Sequence, residues 1–340
     1  MWLIRPEFVA RAALRIAPVA AASAAAGCAS TAAPPAQVLA SPVPPAPRSD
    51  SSWVAPDGES FPFTAWVPAS NPPSVVIVAA HGLSGAASDF RPLGEYLSRR
   101  GCAVYAYELR GMGNDPRLSR RGSIASRGDW LRDFASFAQR IESEWPDAFV
   151  VWYGESLGSV IVLQSTLWRH RQQLGPDAVI LSAPILATAE KLPRWKAPLV
   201  HMLVRTAPWL RIPLVALGGD AAREARVVAA TTHEDQTKKT PHALHAFSLH
   251  LLGEIGRLVA ENKEAAQAFD LPLLVLHGGH DLFTPPEEVR TFVEKGLPAA
   301  PRPERRLFPG SYHLLLHDVE RKEVLDTVEE WISSQALRQR

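Results

Sequence analysis

The pentapeptide Gly-Glu-Ser-Leu-Gly at residues 154–158, between two apolar segments, constrains this chain more than any other feature. The run 149–152 before it predicts a buried strand, and 160–168 after it predicts a helix. A G-x-S-x-G pattern between a strand and a helix is typical of a sharp turn that projects the serine hydroxyl into a cleft. Its glycines lack a Cβ atom, which lets the strand and the helix approach each other. Ser156 is predicted at the apex, facing the positive end of the helix, where an anion is favoured.

Apolar segments of strand length alternate with helical periodicity along residues 53–340. This alternation predicts one α/β domain with a mostly parallel, doubly wound sheet. The segment 61–67 is predicted as an antiparallel edge strand, where its proline is tolerated. An amphipathic helix is predicted over 128–144, and a last helix over 319–333 closes the domain. The parallel strands are predicted at 75–80, 103–107, 149–152, 178–182, 273–277 and 304–308.

The stretch from about residue 184 to 270 is too long for a crossover connection and too apolar for a loop. Inserts of this kind frequently form lids over active sites. We therefore expect a helical cap over the carboxyl edge of the sheet, where ligands bind in open α/β architectures.

Between residues 191 and 219 the predicted cap is basic and apolar, with no acidic residue. Prolines and arginines interrupt the apolar run, which argues against a transmembrane helix. Two interpretations stay open: a cap helix packed on the core, and a surface that lines an acyl tunnel and meets anionic membrane head groups. The basic residues are Lys191, Arg194, Lys196, Arg205 and Arg211, interleaved with apolar side chains that include Trp195 and Trp209.

Residues 1–28 have the composition of a signal peptide: a basic start, a short apolar run and small residues before Cys28. The ending Ala-Ala-Gly-Cys is similar to the lipobox of bacterial lipoproteins, in which Cys28 becomes the lipidated N-terminus. Ordinary signal-peptidase cleavage and an organellar transit peptide are the alternatives. Residues 29–52, rich in proline and alanine, are predicted to form a tether. We expect an exported chain anchored at the outer membrane, with a periplasmic or secreted form as the alternative.

Cysteine content and net charge add two further expectations. If Cys28 carries lipid, Cys102 is the only other cysteine and has no disulfide partner within the chain. Cys102 opens a predicted strand, so it is expected to be buried and inert. The formal net charge of +1 gives no electrostatic reason to expect a nucleic acid partner.

A serine hydroxyl becomes a good nucleophile only when a base takes its proton and a third group orients that base. In a sheet of this kind the partners follow in the order serine, acid, histidine, each directly after a strand. Asp281 follows the strand predicted at 273–277, and His313 follows the strand at 304–308. His313 is therefore predicted to be the catalytic base and Asp281 the acid that orients it.

Two other interpretations of these loops are less favoured. His277, His280 and Asp281 have the residue types of a metal site, but a metal there leaves the serine turn unexplained. Asp318 follows the histidine too closely to approach its ring from behind. No metal is therefore expected.

An acyl-transfer reaction also needs donors for the oxyanion that forms on the carbonyl. The N–H of Leu157, at the start of the predicted helix, is one candidate. The loop at 81–85, His-Gly-Leu-Ser-Gly, follows the strand at 75–80 and contains two glycines that let its backbone turn. The N–H of Leu83 in this loop is predicted to be the second donor.

From about residue 53 to the C-terminus, the chain resembles the α/β-hydrolase superfamily. Within it, the chain looks like the monoacylglycerol lipase and lysophospholipase group of serine aminopeptidase S33-like hydrolases. The resemblance implies hydrolysis of single-chain acyl esters without a cofactor. The sequence departs from the family pattern at Glu108, usually Asp, at Glu155, often His, and at Ser159, where another small residue is usual. The matching pieces are His81-Gly82-Leu83, residues 107–113, residues 154–158, Gly278-Gly279-His280-Asp281 and Tyr312-His313.

The leading hypothesis is a serine carboxylic ester hydrolase that acts on monoacylglycerol-like or lysophospholipid-like esters through an acyl-enzyme. Its expected partners are the acyl ester and a membrane, met through the N-terminal lipid, with the cap as a second candidate contact. An acyltransferase on the same scaffold, with an alcohol in place of water, is one alternative. A non-catalytic surface lipoprotein is another, although the intact Ser156, Asp281 and His313 argue against it.

Overall fold

The computed structural model describes residues 48–69, 72–168, 175–186, 197–213, 225–298 and 301–339. The predicted signal peptide with Cys28, most of the predicted tether and part of the predicted cap lie outside the described residues. No helix within these ranges is both long enough and apolar enough to cross a membrane.

A sheet of eight strands forms the centre of the fold, with the order β1-β2-β4-β3-β5-β6-β11-β12 once the strands are numbered along the chain. Every neighbouring pair from β4 to β12 is parallel, and β2 runs antiparallel to both of its neighbours. Two small antiparallel sheets pair β7 with β10 and β8 with β9. The strands are β1 (Arg48–Val54), β2 (Ser60–Trp66), β3 (Val75–Ala80), β4 (Cys102–Tyr107), β5 (Phe149–Glu155), β6 (Ala178–Ser182), β7 (Arg211–Pro213), β8 (Arg226–Val228), β9 (Thr231–Thr232), β10 (Ala246–Ser248), β11 (Leu273–Gly278) and β12 (Glu304–Phe308).

Helices cover both faces of this sheet. Capping fixes where the longest crossover helix starts, because the Ser126 hydroxyl accepts the Gly128 N–H at 3.1 Å and Asp129 bonds back to the Ser126 N–H at 3.1 Å. The α-helices of the described residues are α1 (Arg91–Ser98), α2 (Arg127–Glu144), α3 (Leu157–Ser165), α4 (Ala197–Thr206), α5 (His233–Lys239), α6 (Leu249–Ala260), α7 (Asn262–Gln267), α8 (Pro286–Thr291) and α9 (Arg321–Gln339).

The sheet divides the apolar interior into two cores. Side chains alternate along β3, so that Val76 and Val78 enter the core beneath α2, α3 and α6, whereas Val75 and Ile77 enter the core beneath α1 and α9. All six residues of β3 are buried, as expected for a parallel strand covered on both faces. Cys102 is buried as predicted, and burial raises its pKa to about 11, which keeps the thiol protonated at neutral pH.

The predicted α/β fold and parallel sheet are confirmed, but the sequence missed the first strand, and residues 48–52, predicted as the end of the tether, belong to it. The segment at 61–67 was predicted at the edge, and this is wrong because β1 pairs along its outer side, with Trp53 opposite Phe61. Residues before Trp53 are polar, because an edge strand needs only backbone hydrogen bonds. Trp53 itself is buried, and its ring centroid lies 5.3 Å from that of Phe137.

The insert predicted as a cap contains two different parts. The helices α6 and α7 pack against α3, and Leu251 and Leu258 of α6 belong to the same core as the sheet. Among the described residues, 197–213 and 225–248 are left to form a cap, and they contain short strand pairs as well as helices. The pair β7–β10 sits on the loop that precedes α2, where the Ser248 N–H donates to the Gly122 carbonyl at 2.8 Å.

The turn between β5 and α3 requires the two glycines of the pattern. Ser156 has φ 54 and ψ −115, a conformation that a side chain adopts only when its surroundings enforce it. A Cβ on Gly154 would lie 2.5 Å from the Cα of Ser159, and one on Gly158 would collide with the backbone carbonyl of Ala80. Neither obstacle is a flexible side chain, so both positions exclude any residue with a Cβ atom.

Gly158→Ala should lower the free energy of unfolding by about 3 kcal/mol, because α3 has to move away from β3 to admit the methyl group. Urea denaturation followed by circular dichroism measures this loss. Gly256→Ala is the matched control in α6, where an added Cβ meets nothing within 4 Å. We expect the control to be neutral or to gain up to about 1 kcal/mol. Equal urea midpoints for Gly158→Ala and Gly256→Ala would contradict the close approach of α3 to β3.

Candidate active site

Hydrogen bonds anchor the turn that carries Ser156 to the neighbouring strands. The Ser156 N–H donates to the carbonyl of Ser182 in β6 at 2.9 Å. The Ser159 hydroxyl donates to the Gly154 carbonyl at 2.7 Å and lies 3.1 Å from the Ser182 carbonyl. Ser159, one of the departures from the family pattern, therefore ties the turn to both β5 and β6.

The structure brings Ser156, His313 and Asp281 into one hydrogen-bonded line. His313 Nε2 lies 3.0 Å from Ser156 Oγ, and His313 Nδ1 lies 2.8 Å from Asp281 Oδ2. All three residues are buried. An ionised carboxylate only accepts hydrogen bonds, so Nδ1 carries the ring proton. The lone pair on Nε2 therefore faces the serine hydroxyl, as a general base requires.

The acid and the base meet because their strands are neighbours. The parallel strands β11 and β12 pair Gly278 with Phe308, so the loops that follow them emerge side by side. Asp281 is held within its own loop, where Oδ1 accepts the N–H groups of Phe283 at 2.8 Å and Thr284 at 3.0 Å. Asp318, the acid that the sequence analysis disfavoured, bonds to backbone N–H groups instead.

Two carboxyl groups act on the ring of His313. Burial disfavours the charged ring, but the charge and hydrogen bond of Asp281 and the charge of Glu155 outweigh it and raise the pKa of His313. Glu155 is also buried, and burial, together with the charge of Asp89, raises the pKa of Glu155 to about 8. Of the two carboxyl groups, Asp281 also bonds to the ring and therefore has the larger effect on the pKa of His313.

The loop after β3 passes directly beside the serine. A Cβ on Gly82 would lie 3.0 Å from the Cβ of Ser156, which places the next residue, Leu83, near the reactive hydroxyl. The N–H of Leu157 lies in the first turn of α3, where the helix provides no acceptor for it. The two donors predicted for an oxyanion thus come from two chain segments that adjoin Ser156.

A buried histidine fixes the position of this loop. His81 Nδ1 donates to the Gly82 carbonyl at 2.9 Å, and His81 Nε2 accepts the Leu109 N–H at 3.0 Å. Burial lowers the pKa of His81 to about 4, so the ring is neutral at neutral pH. A neutral ring has one donor and one acceptor, which are the two groups that this arrangement uses.

Glu108 ties the same region to the next loop. Its Oε1 accepts the Ala87 N–H at 3.2 Å and the side-chain amide of Asn114 at 2.9 Å, and its Oε2 accepts the Asn114 N–H at 3.0 Å. A Cβ on Gly113, which has φ +49, would collide with Oε2, so the long glutamate side chain fits because this position is glycine. Sequence reasoning missed Asn114, because an isolated asparagine in a loop carries no periodic or spacing signal.

The remaining histidines of these loops lie outside the hydrogen-bonded line. His277 Nε2 accepts from Arg305 Nη1 at 2.9 Å, and burial lowers the pKa of His277 to about 4. The ring of His280 packs near that of Tyr312, with centroids 5.2 Å apart. His317 Nε2 donates to a backbone carbonyl at 2.9 Å. Across the ranges that the structure describes, no group of three or more His, Cys, Asp or Glu side chains could hold a metal ion.

A family assignment rests on most of the chain. The sequence model described as serine aminopeptidase, S33, matches residues 71–320. The chain belongs to this family. The matched range includes every segment that carries the resemblance: 81–83, 107–113, 154–158, 278–281 and 312–313.

Individual relatives of this S33 hydrolase agree with that assignment. A monoacylglycerol lipase of Mycolicibacterium smegmatis is 27% identical over 290 residues, which cover 84% of this chain and 98% of that protein. The solved monoacylglycerol lipase of Paleococcus ferrophilus has a TM-score of 0.65 at 22% identity, covering 81% of this chain and 99% of that one. A soluble variant of monoglyceride lipase from Saccharomyces cerevisiae has a TM-score of 0.69 at 17% identity, covering 89% and 99%. The resemblance to the monoacylglycerol lipase-like group of α/β-hydrolases is confirmed, and the chain is a serine hydrolase.

Proposed function

We propose that this S33 hydrolase cleaves single-chain acyl esters of lipid type, such as monoacylglycerols or lysophospholipids, with Ser156 as its nucleophile. The observation that carries the proposal is the unbroken hydrogen-bonded line from Asp281 through His313 to Ser156. The substrate class is supported by relatives that are named monoacylglycerol lipases.

The reaction follows from which atoms hold protons. Ser156 Oγ attacks the ester carbonyl carbon as its proton passes to His313 Nε2, and the carbonyl oxygen becomes an oxyanion beside the N–H groups of Leu83 and Leu157. Collapse of this intermediate breaks the ester C–O bond, and the imidazolium gives its proton to the departing alcohol. Water then attacks the acyl-enzyme with His313 as base, which releases the fatty acid and restores the serine hydroxyl.

The surrounding charges suit this cycle. When His313 becomes an imidazolium, the ionised carboxylate of Asp281 lies 2.8 Å from Nδ1 and stabilises the positive charge. The carboxylate cannot rotate away, because the backbone N–H groups of Phe283 and Thr284 hold its second oxygen. This pre-set orientation means that little reorganisation accompanies proton transfer.

Ser156→Ala should lower kcat by on the order of 10⁶, since the attacking atom is gone. Asp281→Asn should lower kcat by about 10⁴, because an amide favours the wrong histidine tautomer. Rates are measured on p-nitrophenyl esters of graded acyl length, on a monoacylglycerol and on a lysophospholipid. Product analysis with added alcohol distinguishes hydrolysis from acyl transfer.

The matched control is Ser165→Ala, at the end of α3. It removes another buried hydroxyl, which has no hydrogen-bond partner among the described residues. We expect it to retain activity. A Ser156→Ala variant that hydrolyses these esters at the wild-type rate would contradict the proposal.

The second part of the proposal concerns location: Cys28 carries lipid, and residues 29–47, the part of the predicted tether before β1, connect it to the hydrolase and so hold the hydrolase at the outer membrane. The lipobox-like ending of the signal segment supports this, as does Ala29, rather than Asp, after the cysteine. A lipidated first residue followed by a proline-rich tether would keep a folded hydrolase close to a bilayer.

Cys28→Ser should move the chain, expressed in a Gram-negative bacterium, from the membrane fraction to the soluble fraction, because the anchor is lost. Intact mass spectrometry should show the lipid on the wild type alone. Cys102→Ser, in the buried strand β4, is the matched control and should stay with the membrane. A wild-type chain that is wholly soluble and lacks a lipid mass would contradict the anchor.

The third part of the proposal is that the cap segment 197–213 meets the membrane surface. Met202, Trp209 and Leu210 expose 52%, 73% and 42% of their surface, and Arg205 is exposed in the same segment. Exposed tryptophan and arginine beside apolar side chains suit the boundary between lipid head groups and hydrocarbon. Arg211 has a different role, since its guanidinium donates to backbone carbonyls of the loop before α2.

Arg205→Glu should weaken binding to anionic vesicles by about tenfold and slow hydrolysis of a vesicle-presented ester, while a short soluble ester is turned over normally. The Arg205→Glu variant and the protein it is compared with both carry Cys28→Ser, so that an N-terminal lipid does not mask the effect on vesicle binding. Arg338→Glu reverses an exposed charge on α9 and is the matched control. Equal slowing on both substrates, or on neither, would mean that the cap does not contact the membrane.

A further inference from the structure

The loop that carries His313 is bonded to the predicted cap through its backbone. The N–H groups of His313 and Leu314 both donate to the carbonyl of Val227, at 3.0 and 2.9 Å. Val227 is buried and lies in β8, which pairs with β9 inside the insert. A segment outside the central sheet therefore holds the backbone of the proposed base.

Asp318 makes a second connection between the same two segments. Its Oδ2 accepts the N–H of Tyr312 at 2.6 Å, directly before His313. Its Oδ1 accepts the N–H of Ala229, directly after β8, at 2.8 Å, and that of Val319 at 2.8 Å. The residue is only 8% exposed, so water does not readily replace these bonds.

The chemistry of this position requires a carboxylate. Both oxygens of Asp318 face N–H donors, and an ionised carboxylate can accept from all of them. An asparagine has one acceptor oxygen, so its NH₂ group would face either the Tyr312 N–H or the Ala229 N–H. A buried donor would then be left without an acceptor, which costs more than the lost bond alone.

We propose that Asp318 is a positioning residue for His313. It locks the histidine loop to the cap segment 225–229, so that the imidazole reaches Asp281 and Ser156 at the same time. The cap is then part of the catalytic geometry as well as a cover for the substrate. The inference rests on the proposed ester hydrolysis, and it concerns a residue that the reaction itself does not touch.

A second carboxylate in the same loop provides a matched comparison. Within the described part of the chain, Glu320 uses only its Oε2, which accepts the Gly310 N–H at 2.9 Å and the Ser311 hydroxyl at 2.6 Å. The single oxygen of a glutamine can replace it. Glu320 thus supports the loop from within, whereas Asp318 connects it to the cap. A change from carboxylate to amide should therefore lower activity at Asp318 and not at Glu320.

The test compares Asp318→Asn and Glu320→Gln in the full chain on a short soluble p-nitrophenyl ester, with unfolding temperatures measured in parallel. We expect Asp318→Asn to lower kcat by about 100-fold, since a displacement of about 1 Å has this effect, and to leave KM nearly unchanged. Glu320→Gln should stay close to wild type. Loss of kcat that is equal in the two variants would overturn the inference.

The pH profile separates positioning from loss of stability. The acidic limb of kcat/KM reports the His313 of the free enzyme. Asp281 and Glu155 are the carboxyl groups that raise the pKa of His313, and a ring displaced from Asp281 loses much of this effect. The limb should therefore move to lower pH in Asp318→Asn. An unmoved limb, with activity that falls only in step with the unfolding temperature, would assign Asp318 a structural role and overturn the inference.

Ala229→Pro tests the cap side of the connection, because it deletes the N–H that Asp318 accepts. We expect Ala229→Pro to lower kcat. The double variant Ala229→Pro/Asp318→Asn should be no slower than Asp318→Asn alone, because both changes break the same connection. Multiplied losses, or full activity in Ala229→Pro, would overturn the inference. A wild type that is inactive on every ester would instead contradict the proposed function, which keeps the two failures distinct.

Discussion

The close approach of α3 to β3, where Gly158 meets the carbonyl of Ala80, is the constraint on which the site depends. It forces the strained turn at Ser156 and brings the start of α3 beside the loop that follows β3. Because β5 lies between β3 and β6, with β11 and β12 beyond, the serine has the loop after β3 on one side and the loops that carry Asp281 and His313 on the other. The order of strands in the sheet, rather than proximity along the chain, thus assembles the site.

Burial acts differently on each ionisable group around this turn. It lowers the pKa of His81 to about 4, so that histidine stays neutral and can hold the loop after β3 with one donor and one acceptor. It raises the pKa of Glu155 to about 8, because burial and the charge of Asp89 disfavour a second negative charge in the residue next to the serine. For His313, Asp281 more than compensates for burial, and the pKa rises. A raised pKa favours protonation of the ring, which suits the general base proposed here.

Most of the fold was predictable from local sequence patterns and from the order of strands and polar residues along the chain. A sharp turn needs the glycines around Ser156, so the sequence pattern shows the turn directly. Asp281 and His313 each follow a predicted strand, so their places at one edge of the sheet could also be predicted. β1 was missed because an edge strand is held by backbone bonds and carries only one buried apolar side chain, that of Trp53. The role of Asp318 was not visible either, because it arises from N–H groups that the fold brings together from distant parts of the chain.

The central claim is that Ser156 is a nucleophile activated by His313, and covalent labelling tests it most directly. A fluorophosphonate reacts with a serine only when a neighbouring base removes its proton and donors stabilise the developing charge. Incubation of the full chain at neutral pH, followed by peptide mass spectrometry, should find a single adduct, on Ser156, and far slower labelling in Asp281→Asn. A chain that takes up no label while folded, or that is labelled at another serine, would contradict the account.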